Sequence, residues 1–166
     1  MSFNQRCKLN RKLWLSIVLL IVFLSAGAVL FVKWHPPVYY LSIYEAQSEL
    51  VLYQQEVKPG DMFILDYTHS ADKTPVKSVF LIEEDNFVLL EEKYSWYGAG
   101  LEAGSDYKFT FSEDEVTVSG YNRIFDYLPL RIARTVKQKL KFNDVEVILN
   151  DLAPGGTLLL IRVEKQ

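Results

Sequence analysis

The chain has 166 residues, of which 49% are hydrophobic and 14% aromatic, and a formal net charge of −3. This length allows one modest domain plus a targeting segment, and the apolar content excludes a wholly disordered chain. Residues 1–34 carry five basic residues and no acidic residue, whereas the rest carries 13 basic and all 21 acidic residues, a net charge of −8. Because such a region repels phosphates, we expect no nucleic-acid partner.

Cys7 is the only cysteine of the chain. A single thiol cannot form an intramolecular disulfide, and zinc sites built on cysteine need several such ligands. We therefore expect a domain stabilised by burial, with no cofactor and no metal.

Residues 13–32 form an uncharged apolar run. A helix of this length covers about 30 Å, the thickness of the hydrocarbon core of a bilayer. Four basic residues lie within residues 1–12 and only Lys33 follows closely, which favours a cytoplasmic N-terminus. The sequence thus predicts a single-pass signal anchor in a cell membrane, with a cytoplasmic tail at residues 1–12 and an extracytoplasmic C-terminal domain.

A cleaved signal peptide is the alternative interpretation of the same run. Ala26-Gly27-Ala28 has the small-residue pattern of a cleavage site, but apolar sequence continues to Val32, which favours the anchor. Both interpretations place the domain outside the cytoplasm. Residues 33–37 include His35-Pro36-Pro37, which breaks the helix and predicts a short spacer.

Residues 38–166 predict an all-β domain. Short runs rich in β-branched and aromatic residues alternate with turn residues, which is typical of a β-sandwich or a partly open barrel. The predicted strands are 38–43, 49–53, 62–70, 76–83, 87–96, 107–111, 115–119, 130–135, 139–142, 145–149 and 157–163. Part of residues 126–141 is also compatible with a helix.

Two segments carry polar or glycine residues that a sheet does not need. The first follows the strand that ends near residue 70 and contributes Thr68, His69, Ser70, Lys73 and Thr74. The second contributes Tyr97, Gly98 and Gly100, whose glycines allow close approach of a neighbour or a ligand. If the two loops meet in space, they form one pocket.

These segments resemble a known bacterial family. Thr68-His69-Ser70, Lys73-Thr74-Pro75-Val76 and Gly98-Ala99-Gly100-Leu101 are similar to the signature of domain of unknown function 1850, and the resemblance extends to Leu130-Arg131-Ile132 and residues 152–163. Members of that family are commonly encoded beside subunits of TRAP (tripartite ATP-independent periplasmic) transporters, often of the TAXI type. The family pattern usually has an acidic residue where this chain has Lys77-Ser78.

The residues themselves favour binding over catalysis. Adjacent residues of a strand point to opposite faces, so His69 and Ser70 do not form a nucleophile–base pair, and no G-x-S-x-G motif is present. We expect no enzyme. Lys73 and Arg131 are candidates for pairing with an anion, since a guanidinium offers two parallel donors to a carboxylate. The structural alternative is that the hydroxyls and His69 satisfy polar groups of the turn.

The resemblance implies an accessory protein of a TRAP-type transporter. Its expected partners are the permease or the solute-binding subunit, or an anionic small molecule. The alternative is an independent cell-envelope module, which binds a ligand or assists assembly without any transporter link.

Overall fold

The computed structural model describes residues 13–27, 37–69, 73–95 and 107–166. The chain divides between Pro37 and Val38 into an N-terminal unit and a C-terminal unit, Val38–Gln166. The C-terminal unit is compact by itself.

In the N-terminal unit, residues 13–27 form helix α1, and all of its side chains are exposed. Phe23, the most exposed of its large apolar side chains, is 79% accessible. Within the described part of the chain, no helix combines the length and the apolarity that crossing a membrane requires. The predicted segments 1–12, 28–32 and 33–36 lie outside the described residues, so the anchor remains a prediction.

The described part of the C-terminal unit consists of strands and one single-turn helix. The strands are β1 Tyr39–Glu45, β2 Val51–Val57, β3 Met62–Thr68, β4 Pro75–Ile82, β5 Phe87–Tyr94, β6 Lys108–Phe111, β7 Val116–Phe125, β8 Leu128–Arg131, β9 Lys139–Phe142, β10 Val145–Ile148 and β11 Leu158–Lys165, and the helix is α2 Leu149–Leu152. This composition confirms the all-β fold class.

The strands form two antiparallel sheets. The smaller sheet has the order β2-β1-β11-β8, and the larger has the order β10-β9-β3-β4-β5-β7-β6. One hydrophobic core joins them, because Leu41 and Ile161 of the smaller sheet and Phe63 and Leu140 of the larger belong to the same buried cluster. The architecture is therefore a β-sandwich.

Two turns between predicted strands each have a local cause. Gly60 adopts a φ of +97°, in the left-handed region that glycine accepts readily, and its amide donates to the carbonyl of Ile82 at 2.8 Å. The Asp61 carboxylate accepts from the Lys58 amide at 2.8 Å, which closes the turn between β2 and β3. Between β4 and β5, the Glu83 amide donates to the carbonyl of Asn86 at 2.9 Å.

Aromatic rings occupy the centre of the larger sheet's inner face. Phe63 is fully buried and stacks on Phe80 with ring centroids 4.9 Å apart, and Phe87 meets Phe63 edge to face at 5.3 Å. Phe125 contacts Phe80 edge to face at 5.9 Å. Such geometries are the ones that aromatic quadrupoles prefer.

The segment from 126 to 141 contains no helix, contrary to one of the two interpretations of its sequence. It contains β8, an irregular connection and the start of β9. Polar side chains hold this connection. Gln138, only 7% accessible, accepts from the Ala133 amide at 2.8 Å and donates to the Arg131 carbonyl at 3.3 Å.

Asn150, on the unpredicted helix α2, completes this network. Its Oδ1 accepts from the Gln138 amide at 2.7 Å, and its Nδ2 donates to the carbonyls of Ala133 and Val136 at 2.9 and 3.2 Å. The Asn150 side chain thus bonds to three backbone groups of a connection that has no strand beside it to pair with. Helix α2 places the Asn150 amide within reach of these groups.

Replacing Asn150 by alanine should lower the free energy of unfolding by about 1–3 kcal/mol, because three partly buried backbone groups lose their partner. Chemical denaturation of the purified protein measures the change. Asp151→Ala is the matched control on the same helix turn; the residue is exposed, and its loss should stay within about 0.5 kcal/mol. Equal midpoints for the two variants would show that the network has no role in stability.

Candidate ligand-binding pocket

Two bulges in the larger sheet decide which side chains face the other sheet. The register shifts between the pairs Phe80–Leu89 and Val79–Glu91, so Leu90 is the extra residue of β5. Before this bulge Phe87 and Leu89 face inward, and after it Glu92 faces inward, opposite the buried Ser78. A bulge changes the period-two alternation in this way.

A second irregularity acts on β7. Between the pairs Leu89–Arg123 and Glu91–Ser119, one residue of β5 stands opposite three of β7. Gly120 and Asn122 accommodate the distortion with φ angles of +94° and +46°. Val118 faces inward before the bulge, and Tyr121 faces the pocket after it. Both bulges therefore turn polar side chains toward the space between the sheets.

These side chains line a cavity of about 350 Å³ between the larger sheet and β8. Its walls are apolar or aromatic on most sides, with polar groups at one end. The apolar lining residues are Leu65, Phe80, Leu89, Phe125, Leu128, Pro129 and Leu130, and the polar or ionisable ones are Tyr67, His69, Ser78, Glu92, Tyr94, Tyr121 and Arg123. Apolar walls with a few converging polar groups are typical of small-molecule sites.

Glu92 is the centre of the polar end. Its Oε1 accepts from the Ser78 hydroxyl at 2.8 Å, and its Oε2 accepts from the Tyr94 hydroxyl at 2.5 Å. Ser78 is only 3% accessible. Hydrogen bonds to a charged acceptor are short and strong, so both donors hold the carboxylate in one orientation.

The tyrosines of this cluster stay protonated well above neutral pH. Burial raises the pKa of Tyr94, and the hydrogen bond and negative charge of Glu92, together with the neighbouring Tyr121 hydroxyl, raise it further. Burial and the charge of Glu92 also raise the pKa of Tyr67, while a hydrogen bond with Ser78 acts in the opposite direction. Both phenols are therefore neutral hydrogen-bond donors under physiological conditions.

Arg123 adds a positive group to the pocket. Its guanidinium lies 5.8 Å from the centroid of the Phe125 ring, within the range of a cation–π interaction. The pocket thus contains a carboxylate on β5 and a guanidinium on β7, both on the inner side of the sheet.

Of the predicted loop residues at the end of β3, His69 lines this pocket, as does Tyr67 two residues before it. The His69 amide donates to the Thr74 carbonyl at 2.8 Å, and the Lys73 amide donates to the His69 carbonyl at 3.1 Å. Thr68 forms the last pair of β3 with β4, opposite Pro75, and Lys73 is exposed with a φ of +60°.

Ser70, Tyr97, Gly98 and Gly100 lie outside the described residues. Whether the two predicted loops meet therefore stays a prediction, as do the roles of these four residues.

Arg131 lies in a second concavity, of about 520 Å³, on the smaller sheet's side. Its Nη1 donates to the Gly156 carbonyl at 2.7 Å, and Arg134 shares the concavity with it. Arg134 packs so closely on the turn that a Cβ at Gly155 would lie 2.9 Å from its Cα. Lys73, the predicted companion of Arg131, is not among the residues that line this concavity.

Sequence reasoning missed the polar end of the pocket. Ser78 was noted only as a departure from the family pattern, and Glu92 was assigned to an ordinary strand. The signal that could have revealed it is Glu91-Glu92, which lies in the middle of a strand that begins with four apolar residues. Two adjacent strand residues face opposite sides of a sheet, and the bulge before Glu91 decides which of the two carboxylates faces inward.

Among the described residues, no three His, Cys, Asp or Glu side chains are grouped so that they would hold a metal ion.

Comparison with known proteins gives one result. The sequence model of the family described as "Domain of unknown function (DUF1850)" matches residues 63–149, which include all but the first residue of β3, the strands β4 to β10, and every residue that lines the pocket. Curated proteins and solved structures give no match to this chain. Since the match covers more than half of the chain, the protein belongs to the DUF1850 family.

Proposed function

We propose that this protein is a membrane-tethered extracytoplasmic accessory protein of a TRAP-type solute transporter, with a binding rather than a catalytic role. The observation that carries the binding role is the cavity between the sheets, with apolar walls and an oriented carboxylate at one end. Its volume suits a small organic solute. The transporter link comes from the family resemblance.

Helix α1 supports the tether. All fifteen of its residues are exposed, and most are large and apolar, which favours an apolar environment for this helix. A bilayer supplies that environment, and the basic residues before the helix favour a cytoplasmic N-terminus.

The expected anionic partner has two places to bind. Arg123 lines the intersheet cavity, and Arg131 with Arg134 lines the second concavity. In a region with a net charge of −8, these guanidiniums are the groups to which a carboxylate of a solute, or an acidic segment of a transporter subunit, would be drawn.

Crosslinking in native membranes, followed by purification of the full-length protein, tests the transporter link. We expect the permease or the solute-binding subunit among the crosslinked partners, and lower uptake through that permease when this protein is deleted. Intact uptake together with absence of both subunits would overturn the link, and the independent envelope module would then be the better account.

A pocket-filling variant tests the binding role separately. Leu128→Trp places an indole in the cavity, and we expect it to reduce uptake as deletion does. Ile124→Trp is the matched control, because Ile124 is 62% accessible and does not line the cavity. Circular dichroism and thermal unfolding check that both variants fold. Normal uptake with Leu128→Trp would show that the cavity is not used.

A further inference from the structure

The orientation of Glu92 points to a property of the solute. Glu91 and Lys93, its neighbours in β5, form an ion pair at 3.3 Å on the other face of the sheet. Glu92 is turned to the inner face, where an ionised carboxylate loses hydration and needs compensating partners. Because β5 directs the Glu92 carboxylate into the cavity, a molecule bound there meets a hydrogen-bond acceptor.

The two bonds that Glu92 already accepts leave room for more. An ionised carboxylate has about four acceptor positions on its two oxygens. Ser78 and Tyr94 occupy one position on each oxygen, at 2.8 and 2.5 Å, and thereby fix the plane of the group. The carboxylate is thus oriented in advance for a further donor, which lowers the ordering cost of binding.

The surroundings of this carboxylate suit a cation. The rings of Tyr67, Tyr94 and Tyr121 line the same part of the cavity, and Phe80 lies beside them. The faces of aromatic rings attract ammonium groups. Among the described residues that line the cavity, Glu92 is the one carboxylate, and it is the partner that these residues offer to an ammonium.

We propose that the solute of this pocket carries a cationic ammonium group that binds Glu92 among the tyrosine rings, while an anionic group of the same solute is directed toward Arg123. This inference rests on the proposed function of the cavity as a solute site. It narrows the ligand to organic amines, including those that also bear a carboxylate.

Three small probes separate the contributions of the two charges. Pentylamine carries the ammonium alone, pentanoate the carboxylate alone, and 5-aminopentanoate both. Each is titrated calorimetrically into the full-length protein in detergent micelles. We expect pentylamine and 5-aminopentanoate to bind, with 5-aminopentanoate the tighter, and pentanoate to bind at least about tenfold more weakly than 5-aminopentanoate.

Glu92→Gln keeps the shape of the side chain and removes its charge. We expect it to weaken binding of both amines by about tenfold or more, and to leave pentanoate binding no weaker than in the unaltered protein. Glu91→Gln is the matched control, since it removes the adjacent charge from the other face of the sheet and should leave all three affinities unchanged. Tyr94→Phe, which removes one donor that orients Glu92, should weaken the amines by a smaller factor.

The outcomes distinguish this inference from the proposed function. Binding of pentanoate without either amine, or amine binding that Glu92→Gln leaves unchanged, would overturn the ammonium assignment while the cavity remains a solute site. Binding of none of the three probes would also overturn it, and the proposed function would then be decided by the uptake of the Leu128→Trp variant.

Discussion

Replacing Phe63 by alanine is expected to lower the free energy of unfolding by about 3–5 kcal/mol. Phe63 is fully buried, and its ring contacts both Phe80 and Phe87. Its removal leaves a cavity at the centre of the sandwich that the neighbouring rings cannot refill, because their positions are set by strands on both sides.

Urea unfolding, monitored by far-ultraviolet circular dichroism, measures this loss of stability. Phe111→Ala is the matched control, since Phe111 is 64% accessible on an edge strand, and its replacement should change stability by no more than about 0.5 kcal/mol. Similar losses for the two variants would contradict the assignment of Phe63 to the centre of the core.

Raising the pH above about 10 is expected to destabilise the protein through the pocket tyrosines. The pKa of Tyr94 is raised in the folded state, chiefly by burial and then by Glu92. Below the pKa of the unfolded chain, Tyr94 is protonated in both states and its contribution to stability is fully present. Above it, the unfolded state releases the proton and the folded state keeps it, so the free energy of unfolding falls as pH rises.

The free energy of unfolding can fall by at most about 1.4 kcal/mol per pH unit for each such tyrosine. Tyr94 is only partly buried, so solvent screening makes its own slope smaller. Tyr67, whose pKa is raised in the same direction, adds to the loss. The loss continues until the pH passes the pKa of the folded state.

Unfolding midpoints between pH 9 and pH 11 measure this effect, and three variants assign it. Tyr94→Phe should flatten the decline, because the ionisable group is gone. Glu92→Gln should make the decline smaller, because loss of the adjacent negative charge lowers the folded-state pKa of Tyr94 and Tyr67, whereas Glu91→Gln should reproduce the unaltered profile. A decline that is the same in Tyr94→Phe as in the unaltered protein would show that other groups cause it.

The sandwich itself was predictable from local pattern, since most of its strands are short alternating runs closed by turn residues. Strand β9 at Lys139–Phe142 was predicted with its observed bounds. Strand β7 was predicted too short, because Gly120 and Asn122 interrupt its alternation while the chain continues as a strand to Phe125.

The candidate site was predictable only in part. His69 lines the cavity as one of the residues singled out from the sequence, whereas Ser78, Glu92 and Tyr94 were found only once the strands were paired. Arg131 was singled out as half of an anion site with Lys73, which stays a prediction; in the structure it shares a concavity with Arg134, which packs on the turn at Gly155–Gly156.

The amino-acid sequence by itself determined the fold class and the family, because alternation, turn residues and short motifs are properties of neighbouring residues. The pairing of the strands decided which polar groups face the cavity. A bulge reverses the alternation from that point on, and its position depends on hydrogen bonds between strands rather than on residues next to each other in the chain. For that reason the sequence pattern shows Glu92 only as one of two adjacent carboxylates. The paired strands make it the central group of the pocket.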